Sequence, residues 1–144
     1  MTSTAPVILH ATTVSLCDKG VLIVGASGSG KSSLALQLMA LGAALVADDR
    51  TVVSREDNHL IASAPPALEG LIEARGVGIL PVQYAGPTHL ALGIDLNPAA
   101  PDRLPHPHKM ELLKVSLPCL WHVPAPHFAP AVLQYCKGDI GPPR

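Results

Sequence analysis

Val21-Leu-Ile-Val-Gly25-Ala-Ser-Gly-Ser-Gly30-Lys31-Ser32 decides the fold. Four apolar residues read as a compact strand, and a run of small residues follows. The pattern KSSLALQLMALG then places Leu34, Leu38 and Leu41 on one face of a helix that Gly42 closes. The linking segment fits GxxxxGK[ST] at every specified position and sits where that pattern has physical meaning, after a strand and at the start of a helix. Glycines let backbone N–H groups turn inward as an anion nest, and the helix N-terminus adds partial positive charge. Gly25, Ala26, Ser27, Gly28, Ser29 and Gly30 are therefore candidate nucleotide-binding residues, with Lys31 reaching the outer phosphates of ATP and the Ser32 hydroxyl held to Mg²⁺.

Downstream, Ala43–Ala47 reads as a strand that ends on two adjacent carboxylates, Asp48 and Asp49. Like charges at the end of a buried strand are costly unless a cation or a proton-transfer task uses them. With the helix returning the chain to the sheet, both carboxylates are expected at the phosphate face. One can hold Mg²⁺ through water, and the other can accept a proton from an attacking hydroxyl. Further on, LIEARGVGI puts Glu73 and Arg75 on the same face of an extended segment, where a carboxylate and a guanidinium can complete a metal and phosphate site.

Upstream, Val7–Leu9 and Thr13–Cys17 read as short strands joined by His10-Ala-Thr, and Asp18-Lys19-Gly20 supplies turn chemistry before Val21. That short link predicts a hairpin, hence antiparallel pairing beside the key strand and a mixed rather than all-parallel sheet. Further strands are expected at Thr51–Ser54 and Leu60–Ala64 around an Arg55–His59 turn, and at Ile79–Val82, Leu90–Leu96 and Met110–Val115. Ala67–Arg75 is ambiguous, prolines 98 to 107 mark a surface excursion, and Phe128–Lys137 is a last helix. The expectation is one α/β domain over residues 1–144.

Composition narrows the class. Apolar residues make up 48% of the 144 and charged residues 15%, with a net charge of −1, so a real core is available and nothing points to nucleic acid or an anionic membrane. No apolar run reaches the length of a membrane span. Cys17, Cys119 and Cys136 are odd in number and widely spaced, which reads as reduced thiols in a cytoplasmic protein; Cys17 and Cys136 are expected to be buried. His106-x-His108 and Cys119-x-x-His122 can be written as a zinc set, but their irregular, proline-stiffened spacing argues against one.

GASGSGKS, LVADDR and EARGVGI, in this order, resemble HPr kinase/phosphorylase, from about His10 to Val82. The resemblance implies a mixed-sheet P-loop kinase domain of phosphoenolpyruvate carboxykinase-like fold. It further implies ATP-dependent phosphorylation of a serine on HPr or an HPr-like phosphocarrier of a phosphotransferase system, and assembly into hexamers. Carried over, the active-site histidine falls on His10, the P-loop lysine on Lys31 and the Mg²⁺-binding serine on Ser32. The residue serving as base in phosphorylation and acid in the reverse falls on Asp49, with Asp48 beside it. The metal-binding glutamate is Glu73, and a later active-site arginine best matches Arg103. The chain has no room for the family's additional N-terminal domain and looks like a short, kinase-domain form. The late arginine- and glycine-containing loop has no clear counterpart, so kinase activity is expected to exceed phosphorolysis. Two other readings stay open: a kinase of a small hydroxylated metabolite, and a non-catalytic nucleotide-sensing module.

Overall fold

The computed structural model describes residues 5–97 and 108–138. Strands β1 (Val7–Leu9), β2 (Ala11–Leu16) and β3 (Lys19–Val24) lead into helix α1 (Lys31–Ala40) and strand β4 (Ala44–Ala47). Strands β5 (Thr51–Glu56) and β6 (His59–Ser63) form a hairpin, and a 3₁₀ turn at Pro66–Leu68 precedes the hairpin β7 (Leu71–Ala74) and β8 (Gly78–Pro81). Strand β9 (Thr88–Asp95), the hairpin β10 (His108–Leu112) and β11 (Val115–Trp121), and helix α2 (Phe128–Lys137) complete the order.

The main sheet runs β1-β5-β6-β9-β3-β2-β4, with β11 pairing β9 and β10 pairing β11. Among the described strand pairs only β3–β9 and β9–β11 are parallel, so the sheet is mixed, as the short hairpin link predicts. Strand β9 pairs β6 through Thr88 and His89 and then turns that edge to β11 from Gly93 onward, while β3 occupies its other edge. The sheet therefore curls and encloses a second core on the side away from the helices. One core holds Val14, Ile23, Leu45 and Ile94 under α1 and α2, and the other gathers Leu22, Val46, Val53, Leu60 and Leu117 inside the curl.

Aliphatic residues dominate both cores, with Phe128 joining them under the helices. Helix α1 uses Leu34, Ala35 and Leu38 as its buried stripe and ends in a glycine cap: Ala43 N bonds Leu38 O, and Gly42 N bonds Met39 O with Gly42 at φ +111°. A buried polar rung, Thr13 Oγ1 to Thr51 Oγ1 at 3.0 Å and Thr51 Oγ1 to Ala11 O at 2.9 Å, ties β2 to β5 across the curl.

Several expectations are corrected. Strand β2 begins at Ala11, leaving His10 alone as the bend after β1. The hairpin turn before β3 is Cys17-Asp18, both at positive φ, and Cys17 is exposed rather than buried. The ambiguous segment holds the 3₁₀ turn and β7. Met110–Val115 is not one strand: Leu113 and Lys114, at φ +48° and +65°, turn the chain from β10 into β11. Strand β4 pairs β2, which lies between it and β3. Among the described residues no helix is long and apolar enough to cross a membrane. The proline-rich stretch 98–107, with Arg103 and His106, lies outside the described residues.

Candidate active site

Two antiparallel steps, β3 to β2 and β2 to β4, restore direction, so β3 and β4 end at the same edge of the sheet, where β2 begins. That topology brings three sequence-distant segments together: the glycine loop after β3, His10 and Thr12 at the start of β2, and Asp48 and Asp49 after β4. The β7–β8 hairpin closes the fourth side. Together they line a cleft of about 460 Å³ whose walls include His10, Lys31, Ser32, Asp49, Glu73 and Arg75.

The glycine loop is shaped by sterics. Gly28 and Gly30 lie at φ +80° and +102°, values that L side chains rarely adopt, and Gly30 is the residue from which α1 starts. Gly25 is required for space instead: a Cβ there would sit 2.6 Å from Ser29 Oγ and 2.9 Å from Leu96 Cβ. Ser29 Oγ is buried with no hydrogen-bond partner among the described residues. Lys31 is only 6% exposed, and its Nζ donates to the loop's own carbonyls, Gly25 O at 3.0 Å and Ala26 O at 3.1 Å. The ammonium is thus held inside the loop that would cradle phosphate.

The two aspartates divide sharply. Asp48, 8% exposed, accepts from Thr12 Oγ1 at 3.0 Å and Ser32 Oγ at 2.6 Å on one oxygen, and from Glu73 N at 2.9 Å on the other. Three donors offset the desolvation of that carboxylate, and it locks α1, β2 and β7 to one point. Asp49 is exposed, in a left-handed conformation at φ +67° that turns its carboxylate into the cleft. There its Oδ1 lies 2.5 Å from His10 Nε2. Both partners are more than half exposed, so the contact orients the carboxylate more than it stabilises the fold. Thr12 couples the pair: its hydroxyl donates to Asp48 and accepts from Asp49 N at 3.2 Å.

The donor set suits a hard divalent cation. Ser32 Oγ and Asp48 Oδ1 lie 2.6 Å apart, close to the spacing of about 2.9 Å between neighbouring oxygens of an octahedral Mg²⁺. The Glu73 carboxylate stands on the wall of the same cleft. Strand β7 alternates Ile72 and Ala74 inward with Glu73 outward, so Glu73 and Arg75 share the face toward the cleft, as their spacing predicts.

Every candidate site residue within the described set, apart from Gly25, Ala26 and Ser29 of the glycine loop, lines this one cleft; Arg103 lies outside the described residues. The sequence reading missed Thr12 as a site residue, for no motif marks it; only pairing β2 with β4 reveals that its side chain falls beside Asp48. The two histidines of the zinc pattern that lie within the described residues, His108 and His122, make ring contacts. His108 stacks on Trp121 with ring centroids 4.2 Å apart, and His122 meets Phe128 edge-on at 5.0 Å.

Comparison with known proteins matches this arrangement. The family model described as HPr Serine kinase C-terminal domain matches residues 2–88. HPr kinase/phosphorylase 1 of Oceanobacillus iheyensis is 48% identical over 75 residues, covering 51% of this chain and 24% of that protein. HPr kinase/phosphorylase of Listeria monocytogenes is 49% identical over 80 residues, covering 54% of this chain and 26% of that protein. The chain thus spans about a quarter of the length of these curated relatives. The solved structure of the Hpr(Ser) kinase/phosphatase from Coxiella burnetii superposes with a TM-score of 0.77 at 26% identity, over 90% of this chain and 88% of that one. A mixed sheet that gathers glycine loop, paired aspartates and EARG hairpin around one cleft, together with a family match over more than half the chain, shows that this chain belongs to the HPr serine kinase C-terminal domain family.

Proposed function

We propose that the chain is an ATP-dependent protein serine kinase that phosphorylates HPr or an HPr-like phosphocarrier of a phosphotransferase system in the cytoplasm. The observation that carries this reading is the shared cleft. An oriented, exposed carboxylate at Asp49 stands in the same cavity as Lys31, the glycine loop and the Ser32–Asp48 oxygen pair. The names of the relatives support the choice of acceptor. The finer fold reading, a P-loop kinase domain related to phosphoenolpyruvate carboxykinases and formed by residues 1–144, is part of the same proposal. So is self-association into hexamers.

In this mechanism the glycine-loop N–H groups and Lys31 hold the phosphates of ATP, and Lys31 exchanges Gly25 O and Ala26 O for phosphate oxygen. His10 keeps the Asp49 carboxylate turned toward the acceptor. Asp49 takes the proton of the serine hydroxyl as the serine oxygen bonds to the γ-phosphorus and the bond to ADP breaks. Ser32, Asp48 and Glu73 would hold Mg²⁺, whose chemistry is to neutralise charge on the transferring group. In the reverse direction protonated Asp49 returns the proton to the serine oxygen while inorganic phosphate attacks phosphoserine. We expect this phosphorolysis to be the slower direction.

The decisive experiment supplies labelled ATP, Mg²⁺ and purified phosphocarrier, and separates ADP from pyrophosphate. Label on a carrier serine, with ADP release outpacing pyrophosphate release when phosphate is supplied, is the expected result. Turnover on small hydroxylated metabolites alone, or ATP binding without transfer, would replace this reading by a metabolite kinase or a nucleotide sensor.

A further inference from the structure

The cleft is polar, yet its surroundings are not. The three most exposed large apolar residues among those described are Val77 at 74%, Ile79 at 69% and Ile8 at 63%. All three stand beside residues that line the cleft. Ile8 lies two residues before His10 on β1, and Val77 two residues after Arg75 in the turn of the β7–β8 hairpin. Ile79 is the cross-strand partner of Glu73. Directly opposed residues of an antiparallel pair point to the same face with Cβ atoms about 5 Å apart, so Ile79 shares the hairpin face that presents Glu73 to the cleft. The opposite face carries Ile72, Ala74 and Leu80, and Ile72 and Leu80 pack into the core. The hairpin is thus spent on both sides: one holds it to the fold, and the other carries the cleft's charges and then bare hydrocarbon.

Single exposed apolar residues are ordinary on protein surfaces. Two rims of one cleft bearing the most exposed of them are a different arrangement. An occupant that covers both rims roofs the cleft, so a permanently seated second copy of this chain would shut out the acceptor. A small metabolite held within the cleft would leave both rims in water. A protein that delivers a serine to Asp49 extends beyond the cleft mouth and over such rims. A footprint of about 800 Å² corresponds to a radius of about 16 Å, well beyond one cross-strand spacing from Glu73.

We propose that Ile79 and Val77 on one rim, and Ile8 on the other, form the docking surface for the protein acceptor, gripping apolar side chains that flank the serine to be phosphorylated. The assignment rests on the protein-kinase reading above and specifies how that site chooses a folded protein over free small molecules. The rim contacts are made equally before and during transfer. Their loss should therefore raise the KM for the acceptor without lowering kcat.

The test uses the full chain with ATP, Mg²⁺ and purified unphosphorylated phosphocarrier. Ile79→Ser and Ile8→Ser remove hydrocarbon that the fold does not bury, so unfolding is not expected, and Val77→Ser provides a second probe of the hairpin rim. Each should raise the carrier KM about five- to thirtyfold, with kcat at saturating carrier and the Kd for ATP unchanged. Val123→Ser, an exposed apolar control that lines neither cleft nor rim, should match wild type. Wild-type carrier KM in all three rim variants overturns the assignment while leaving the kinase reading intact. A changed oligomeric state in light scattering, accompanying the rise in KM, also overturns it and makes the rim a subunit contact. Failure of the wild-type chain to phosphorylate any carrier overturns the kinase reading, and the docking surface with it.

Discussion

The cleft edge of the sheet and its helix-covered face are built by opposite rules. On the covered face, Leu38 and Val132 are fully buried, and neighbours are aliphatic across regular helices and strands. At the cleft edge the backbone leaves regular conformations at Gly28, Gly30 and Asp49, and buried positions are held by Lys31, Asp48 and Thr12. The covered face gains its free energy from area removed from water, where one aliphatic group can stand in for another. The edge is held by directional bonds among unlike groups, where one change strands a partner. Substitutions at the edge should therefore act first on turnover, at little cost in stability where the group is exposed, as at Asp49, and at some cost where it is buried, as at Asp48; substitutions under the helices should cost stability alone.

Lys31→Ala presses hardest on that contrast. Transfer should fall to background while the melting temperature stays close to wild type, because the lost group is a charge on the cleft wall, proposed to hold phosphate, and not core hydrocarbon. Measurable turnover by this variant would remove the glycine loop from the mechanism. Asp49→Asn keeps shape but removes the base proposed above, and turnover should drop about two to four decades with ATP affinity changed far less. Asp48→Asn should instead raise the Mg²⁺ requirement and cost stability, since an amide cannot accept all three hydrogen bonds without turning its NH₂ onto a donor. The opposite pattern in the two variants would exchange their roles.

Val132→Ala tests the other side. A fully buried β-branched residue reduced to a methyl should destabilise by about 2 kcal/mol, read from denaturant midpoints, with kcat unchanged at temperatures where the variant is folded. The smallest expected effect concerns the thiols. Burial, reinforced by the charge of Asp95, pushes Cys119 up to about 12 from an ordinary value of 9.0. Burial and the neighbouring Cys17 push Cys136 to about 11, against a lowering influence of Lys19. A raised folded-state value favours folding fully below about pH 9 and is lost as pH climbs toward 11 and 12. Urea midpoints should accordingly decline from pH 8 to pH 10, less so in Cys119→Ser. Iodoacetamide at pH 8 should label exposed Cys17 alone in the folded chain.

Much of this site was legible because its chemistry demands particular residues in particular order. Glycines before Lys31-Ser32, carboxylates after a strand and the alternation of Glu73 with Arg75 are each tied to a local geometry. The C-terminal hairpin was not legible for the same kind of reason. Its turn, Leu113-Lys114, takes positive φ at both residues without the glycine or asparagine that normally announces such a turn. Pro118 inside β11 further argues against a strand, yet it precedes the parallel pairing with β9, which begins at Cys119. In both cases pairing across the sheet overrides local preference. Thr12 was hidden for a related reason, since its role depends on a register between strands and not on its neighbours in the chain.

The left-handed backbone at Asp49 carries an evolutionary consequence. A side chain in that conformation is tolerated rather than preferred, and glycine would occupy φ +67° with less strain. Under the base role proposed for Asp49, stability and turnover pull this position in opposite directions, and selection for transfer would hold aspartate against the easier backbone. In a gene copy freed from phosphoryl transfer the restraint disappears, and drift runs toward glycine or asparagine without loss of the fold. On that proposal, the residue found at this one turn in any descendant records whether its lineage is held to the proton-transfer role.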